Sequence, residues 1–317
     1  MKRLSIVVPC FNESSGLALF VDEISRVVRE LSNYETEVVF VDDGSTDDTC
    51  EVLHEFSSGY DWIRVISLTR NFGKEAALTA GLDFASGDAI IFMDADLQHP
   101  PEVIKKMIFQ WERGHPVVAA RRASRETDSR LYKLLAQAFY RVHNRISDIS
   151  VPDGVGDFRL IDRKVADQLR ALRENRRFMK GLFAWIGYKP LNIEYAVAPR
   201  ACGRSSFNHW KSWNFALEGI ASFSTVPLRI WSYVDALILL LGIAYSIIII
   251  ANAIVWGVST PGYVTRLTAV VVFGGVQLIG IGILGEYIGR IYIEVKHRPP
   301  YLIDTFHSAR LKEKSQE

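Results

Sequence analysis

Two long uncharged runs constrain this chain more than any other feature of its sequence. Ala236 to Val258 carries no charged side chain over 23 residues, and Leu267 to Gly285 is uncharged as far as Glu286. At 1.5 Å per residue the first run would extend about 35 Å as a helix, enough to cross a hydrocarbon core about 30 Å thick. A helix hairpin buried in a soluble protein is the other reading. The pairing of two such runs across the short Ser259-Thr260-Pro261-Gly262 region favours two transmembrane helices, at about 234–258 and 265–289. Trp231, Tyr233, Trp256, Tyr263 and Tyr287 lie near the ends, where interfacial aromatic side chains belong.

The flanks predict an orientation. Arg229, Arg290, Lys296 and Arg298 lie on the side of the remaining chain, whereas the connecting loop offers Arg266 alone. By the positive-inside rule, a multi-pass inner-membrane protein with its soluble domain and both termini in the cytosol is expected. No secretory leader is expected, because Met1-Lys2-Arg3 leads into an apolar run too short for one.

Composition narrows the soluble part. The 317 residues hold 37 Lys+Arg against 36 Asp+Glu, a net charge of +1, which argues against nucleic acid as a partner. The length is that of about two domains. Cys10, Cys50 and Cys202 are scattered without metal spacing, so neither a disulfide framework nor a zinc module is expected. A mean hydropathy of +0.09 is high for a chain that is 23% charged, since it averages two unlike parts.

In the first part, short apolar runs alternate with helical stretches. Leu4–Val8, Glu37–Val41, Trp62–Leu68, Ala89–Met93 and Val117–Ala120 read as strands; Gly16–Leu31, Asp47–Phe56, Lys74–Ala85 and Pro101–Arg113 read as helices. Such alternation predicts an α/β fold with a mostly parallel sheet covered on both faces. Ligands of such sheets bind beyond the carboxyl ends of the strands.

Three strand ends carry polar clusters: Pro9-Cys10-Phe11-Asn12-Glu13, Asp42-Asp43-Gly44-Ser45 and Asp94-Ala95-Asp96-Leu97-Gln98. Adjacent carboxylates repel unless something pairs them. Any one cluster alone reads equally as a turn or a helix cap. Three on one edge of a sheet suit a hard divalent cation, Mg²⁺ or Mn²⁺, of the kind that also binds substrate phosphates.

These motifs, with Arg70-Asn71-Phe72-Gly73-Lys74, His99-Pro100-Pro101, Gly156-Asp157-Phe158-Arg159-Leu160 and Arg177-Phe178-Met179-Lys180-Gly181, resemble glycosyltransferase family 2. Within it the chain is similar to bacterial polyprenyl-phosphate glycosyltransferases, relatives of dolichyl-phosphate mannose synthase. The resemblance implies a GT-A nucleotide-sugar-binding domain plus a C-terminal two-helix hairpin. It also implies inverting transfer of a single hexose, with UDP-glucose as donor and undecaprenyl phosphate as acceptor, for surface glycan or lipid modification. A processive polysaccharide synthase and a catalytically silent nucleotide-binding membrane scaffold are the alternatives. The synthase reading lacks its extra membrane helices and its Gln-x-x-Arg-Trp motif here.

Residue by residue, the resemblance makes Asp94 and Asp96 the metal and diphosphate motif, with Gln98 a third ligand. Pro9, Asn12, Glu13, Asp42 and Asp43 become walls of the nucleoside pocket, and Lys74 points toward the donor unless it is a solvated first-turn lysine. The acceptor phosphate, already largely anionic with a second pKa of about 6, needs cations more than a base. Arg121 and Arg122 are candidates, with Arg130 or Lys133 as a further member and Arg204 beside either substrate. Asp157 is expected either to act in catalysis, orienting the acceptor or an arginine, or to form a structural Asp-Arg pair in a turn. His99 reads as peripheral.

The expected organisation is a cytosolic domain at 1–205, an amphipathic interfacial region at 206–230, the hairpin at 231–290 and a cytosolic tail at 291–317. Gly280-x-Gly282-x-x-Gly285 mimics a dinucleotide fingerprint without the preceding strand. With Gly289 it instead suits close helix packing, within the hairpin or in a homo-oligomer.

Overall fold

A computed structural model describes residues 1–122, 155–172, 174–175, 177–196, 226–256 and 262–308. The strands are β1 (Lys2–Cys10), β2 (Tyr34–Asp42), β3 (Ile63–Leu68), β4 (Ala89–Phe92), β5 (Val117–Arg122), β6 (Val155–Asp162), β7 (Leu191–Tyr195) and β8 (Ile303–Ser308). Between them lie α1 (Ser14–Glu30), α2 (Thr49–Gly59), α3 (Lys74–Phe84), α4 (Val103–Glu112), α5 (Arg163–Ala171) and α6 (Met179–Trp185). Two long helices follow, α7 (Val226–Trp256) and α8 (Tyr263–Val295).

The eight strands form one sheet in the order β7-β5-β6-β4-β1-β2-β3-β8. β1 is parallel to β2 and β4, β2 to β3, and β5 to β7; β6 and β8 run against their neighbours. The carboxyl ends of β1 to β5 therefore share one edge, and the three acidic clusters lie on adjacent strands β4, β1 and β2. Ligand chemistry is placed where the parallel strands predict it.

Period-two alternation explains how both faces are covered. On β1, Leu4, Ile6, Val8 and Cys10 pack beneath α1, α2 and α4, while Val7 faces α3, α5 and α6. Phe20 of α1 meets Phe40 of β2 edge to face, with ring centres 5.9 Å apart, and both are fully buried. Strands enclosed on both sides read as continuous apolar runs, which is why the first five were visible in the sequence.

β6, β7 and β8 were not. Gly156-Asp157-Phe158-Arg159 is strand rather than turn, with Arg159 opposite Phe92. The segment expected as a tail returns to the sheet, where Ile303 pairs with Leu68 and Ser308 with Arg64. β8 is also held by Phe306 against Phe84 and by His307 against His54.

At 1.5 Å per residue, α7 and α8 are each on the order of 45–50 Å long. Residues 226–230, expected in a separate interfacial segment, are the first turn of α7. Most of that segment, Ser206 to Thr225, lies outside the described residues, as do Lys133, Arg130 and Arg204. Among the described residues one stretch, Phe273–Val295, is long and apolar enough to cross a membrane; it overlaps the expected 265–289 and lies nearer the chain end. The indole of Trp231 packs on Gly280, where a Cβ would lie 1.7 Å from its ring nitrogen. At Gly282, Gly285 and Gly289 a Cβ would meet nothing within 4 Å.

Candidate active site

The part of the edge formed by β1 and β2 is assembled by side chains that accept backbone N–H groups. Asp42 ends β2, and its Oδ1 accepts from the Ser45 amide and hydroxyl. Asp43 follows, buried, with Oδ1 accepting from Phe72 N–H and Oδ2 from Gly73 N–H, both at 2.8 Å. This carboxylate fastens the loop after β3 and fixes the start of α3. The next residue, Gly44, takes φ +63°, and a Cβ there would lie 2.4 Å from the Arg70 carbonyl carbon. A side chain would be strained in torsion and in space.

Asn12 continues the wall in a left-handed conformation, φ 55°. Its Oδ1 accepts from Thr46 N–H at 2.8 Å, and its own N–H donates to Ser45 Oγ. Glu13 leads into α1, with its N–H on Thr49 Oγ1. Asp47 accepts from Ser14 and Thr49 through both amide and hydroxyl, tying α1 to α2. Pro9 lies in β1 opposite Val41. The buried thiol of Cys10 registers the convergence: burial, then Asp42, Glu13 and Asp94 in turn, push its pKa up.

The other half of the site rests on charge. Lys74, first residue of α3, places Nζ 2.6 Å from Asp94 Oδ1 and 2.9 Å from Asp157 Oδ2. Burial opposes the ammonium, but Asp157 and Asp94 more than compensate and its pKa is raised. Burial would raise Asp157 too; Lys74, Lys180 and Arg159 instead hold it well below the carboxylate range. Asp157 is therefore a partner of Lys74, not of an arginine in a turn. Its Oδ1 is buried and has no hydrogen-bond partner among the described residues.

Asp96 folds its own loop, Oδ1 accepting from Gln98 N–H at 3.1 Å, and Leu97 between them takes φ 58°. His99, expected to be peripheral to the chemistry, is buried. It stacks on Phe158 with ring centres 4.8 Å apart, meets Tyr195 edge-on, and turns Nδ1 toward the Asp94 amide at 3.5 Å. A lone histidine beside an acidic motif gave no signal of this, because its aromatic partners come from β6 and β7.

Sequence reasoning also passed over Glu75 and Arg159. Glu75 Oε2 accepts from Met179 N–H, tying α3 to α6, and burial with Asp157 nearby raises its pKa to about 7. Arg159 is buried, donates to the Gly156 carbonyl, and lies 3.8 Å above the Phe183 ring. Burial lowers its pKa to about 10. Of the basic residues expected to meet the acceptor, Arg121 is exposed at the carboxyl end of β5, beside Glu194 of β7, and Arg122 follows it opposite Tyr195.

Asp94 and Asp96 supply hard oxygen donors on one short loop, and Asp94 already holds a cation in the form of Lys74. That donor chemistry fits Mg²⁺ or Mn²⁺ shared with a diphosphate. Among the described residues no three Asp, Glu, His or Cys side chains are grouped to hold a metal by themselves.

Residues 5–170 match the model of glycosyl transferase family 2, and residues 226–291 match the GtrB C-terminal hairpin. The SfII prophage-derived bactoprenol glucosyl transferase of Shigella flexneri is 47% identical over 305 residues, 96% of this chain and 98% of that one. The prophage bactoprenol glucosyl transferase homolog of Escherichia coli (strain K12) is 46% identical over 95% and 98%. A mannosyltransferase from Pyrobaculum calidifontis, solved with GDP-Man and Mn²⁺, gives a TM-score of 0.48 at 18% identity, covering 92% of this chain and 85% of that one. The chain belongs to glycosyltransferase family 2. It is an enzyme with a GT-A-like α/β domain, and its hairpin associates it with a membrane.

Proposed function

We propose that the chain transfers one glucose from UDP-glucose to undecaprenyl phosphate, with inversion, at the cytoplasmic face of the inner membrane. One observation carries the reading. β8 enters the sheet with Ile303 beside Leu68, at the carboxyl end of β3, and Thr69 N–H donates to the Leu302 carbonyl there. The chain leaving α8 therefore arrives at the edge that bears the acids. Residues 296–302 can bridge at most about 25 Å. Asn175 N–H also donates to Glu294 Oε2, fastening the end of α8 to the catalytic domain. A lipid-borne phosphate that stays in the headgroup layer thus meets a site held at that height.

The same strand supports a two-pass topology. α7 and α8 lie between catalytic strands β7 and β8, so the chain must leave and re-enter on one side of the bilayer. The basic flanks assign that side, and both termini, to the cytosol.

Asp42, Asp43, Asn12, Glu13 and Pro9 enclose the nucleoside. Asp94 and Asp96, with Gln98, would hold Mg²⁺ or Mn²⁺ against the donor diphosphate; the ion supplies charge neutralisation as the anomeric bond breaks. An acceptor phosphate oxygen attacks the anomeric carbon from the opposite side while the nucleoside diphosphate departs. No strong base is needed for a nucleophile already anionic. Arg121 and Arg122 orient that phosphate, with Lys133 and Arg204 as further members of the set. Asp157 keeps Lys74 facing the reaction. A homo-oligomer would use the open glycine face of α8.

The test is a donor screen on detergent-purified full-length protein with undecaprenyl phosphate, read by mass spectrometry of the lipid. A single added hexose from UDP-glucose is expected. A polymer would favour the synthase reading; nucleotide binding without transfer to any lipid would favour the scaffold.

A further inference from the structure

Lys74 is built into the site as a counter-ion with two clients of different character. Its backbone is fixed at the start of α3, next to the Gly73 amide that Asp43 holds. Its side chain is a flexible stem, 43% exposed, so the ammonium can move while the helix stays. Asp157 lies in β6 with its side chain 19% exposed, whereas Asp94 lies in the loop after β4 at 29%. The ammonium occupies Asp94 Oδ1 at 2.6 Å, one of the two oxygens through which this carboxylate would take a divalent cation. An ammonium and a divalent cation on one carboxylate repel each other, so each weakens the other's hold on it.

Resting on the metal reading of Asp94 and Asp96, we propose that Lys74 makes divalent-cation binding conditional on a nucleoside diphosphate. Without nucleotide, the ammonium neutralises Asp94 and keeps the cation out. A diphosphate offers the ammonium a new anionic partner within the sweep of its stem, and Asp157 keeps it close. Asp94 then passes from ammonium to cation as the donor seats. The device prevents the site from holding a bare cation that would compete with, rather than assist, donor entry. Lys74 is thereby a positioning residue that sets the order of assembly.

The test uses full-length protein in detergent, titrated with Mn²⁺ alone and with Mn²⁺ plus UDP, with free Mn²⁺ read by electron paramagnetic resonance. Wild type is expected to bind Mn²⁺ weakly by itself and far more tightly with UDP. Lys74→Met is expected to bind Mn²⁺ alone about tenfold more tightly than wild type, and the gain from UDP to shrink by a similar factor. Lys74→Arg, which keeps the charge, should stay close to wild type. Repeating the comparison in an Asp157→Asn background guards against misfolding around an unpaired buried carboxylate. Equal affinity of Lys74→Met and wild type for Mn²⁺ alone, in both backgrounds, overturns the role of Lys74. Absence of Mn²⁺ binding in wild type even with UDP overturns the metal reading itself.

Discussion

The two halves of the active edge treat their carboxylates in opposite ways. At the ends of β2 and β3, Asp42 and Asp43 accept from backbone amides and the Ser45 hydroxyl, groups that cannot leave without unfolding a turn. At the ends of β4 and β6, Asp94 and Asp157 share one ammonium on a flexible stem. The first arrangement makes a rigid wall, suited to a nucleoside whose shape does not change. The second is a charge balance that can be redistributed, suited to a diphosphate and a cation that come and go. Burial raises the pKa of both Asp42 and Asp43 despite their hydrogen bonds, whereas Asp157 is held low by cations.

The contrast breaks most sharply on activity. Asp94→Asn should leave the melting temperature near that of wild type and lower kcat by about 10²–10³-fold, the scale of losing one electrostatic stabiliser of a transition state. Thermal melts alongside initial rates check both halves of that statement. Asp43→Ala should do the reverse in kind: two N–H groups lose a buried acceptor, for about 2–4 kcal/mol of stability by denaturant titration. A stable Asp43→Ala beside an unfolded Asp94→Asn would invert the assignment of wall and charge centre.

A subtler separation comes from Glu75. Its pKa rises from 4.5 to about 7 in the folded protein, so the native state holds a proton that the unfolded chain has already released. Stability should therefore fall as pH rises from about 4.5 to about 7. At about 1.4 kcal/mol per pKa unit, the loss is on the order of a few kcal/mol. The difference between wild type and Glu75→Gln across a pH series of melts isolates it, and parallel curves would remove it. The smallest effect belongs to the hairpin. Gly280→Ala must displace the Trp231 indole, for roughly 1 kcal/mol or less in hairpin stability, read by Trp fluorescence.

Legibility followed burial and range. The first five strands and four helices were readable because strands covered on both faces, and helices with one apolar stripe, carry their environment in their own residues. Even so, β1 and β2 extend past their apolar runs to Lys2–Cys10 and Tyr34–Asp42, because pairing with neighbours carries polar residues into the sheet. β8 escaped notice because Ile303-Asp-Thr-Phe-His-Ser308 is a short, mixed edge strand following a long apolar helix. The acids at the strand ends were legible as a set. The pairing of Lys74 with Asp157, 83 residues away, depends on β6 inserting between β4 and β5, which no local pattern encodes. Glu75 at the head of a helix looks like ordinary dipole matching until α6 is packed over it.

The return of β8 has a consequence for how the protein is made. Translation proceeds from the amino end, so β3 is synthesised with its outer side bare and stays so until both apolar helices have emerged. The catalytic half then cannot finish its sheet before the hairpin has been handed to the insertion machinery. An open strand edge left waiting invites aggregation. Successful delivery to the bilayer thus becomes a precondition of a completed enzyme, and a molecule that misses its membrane is left marked by an unfinished border.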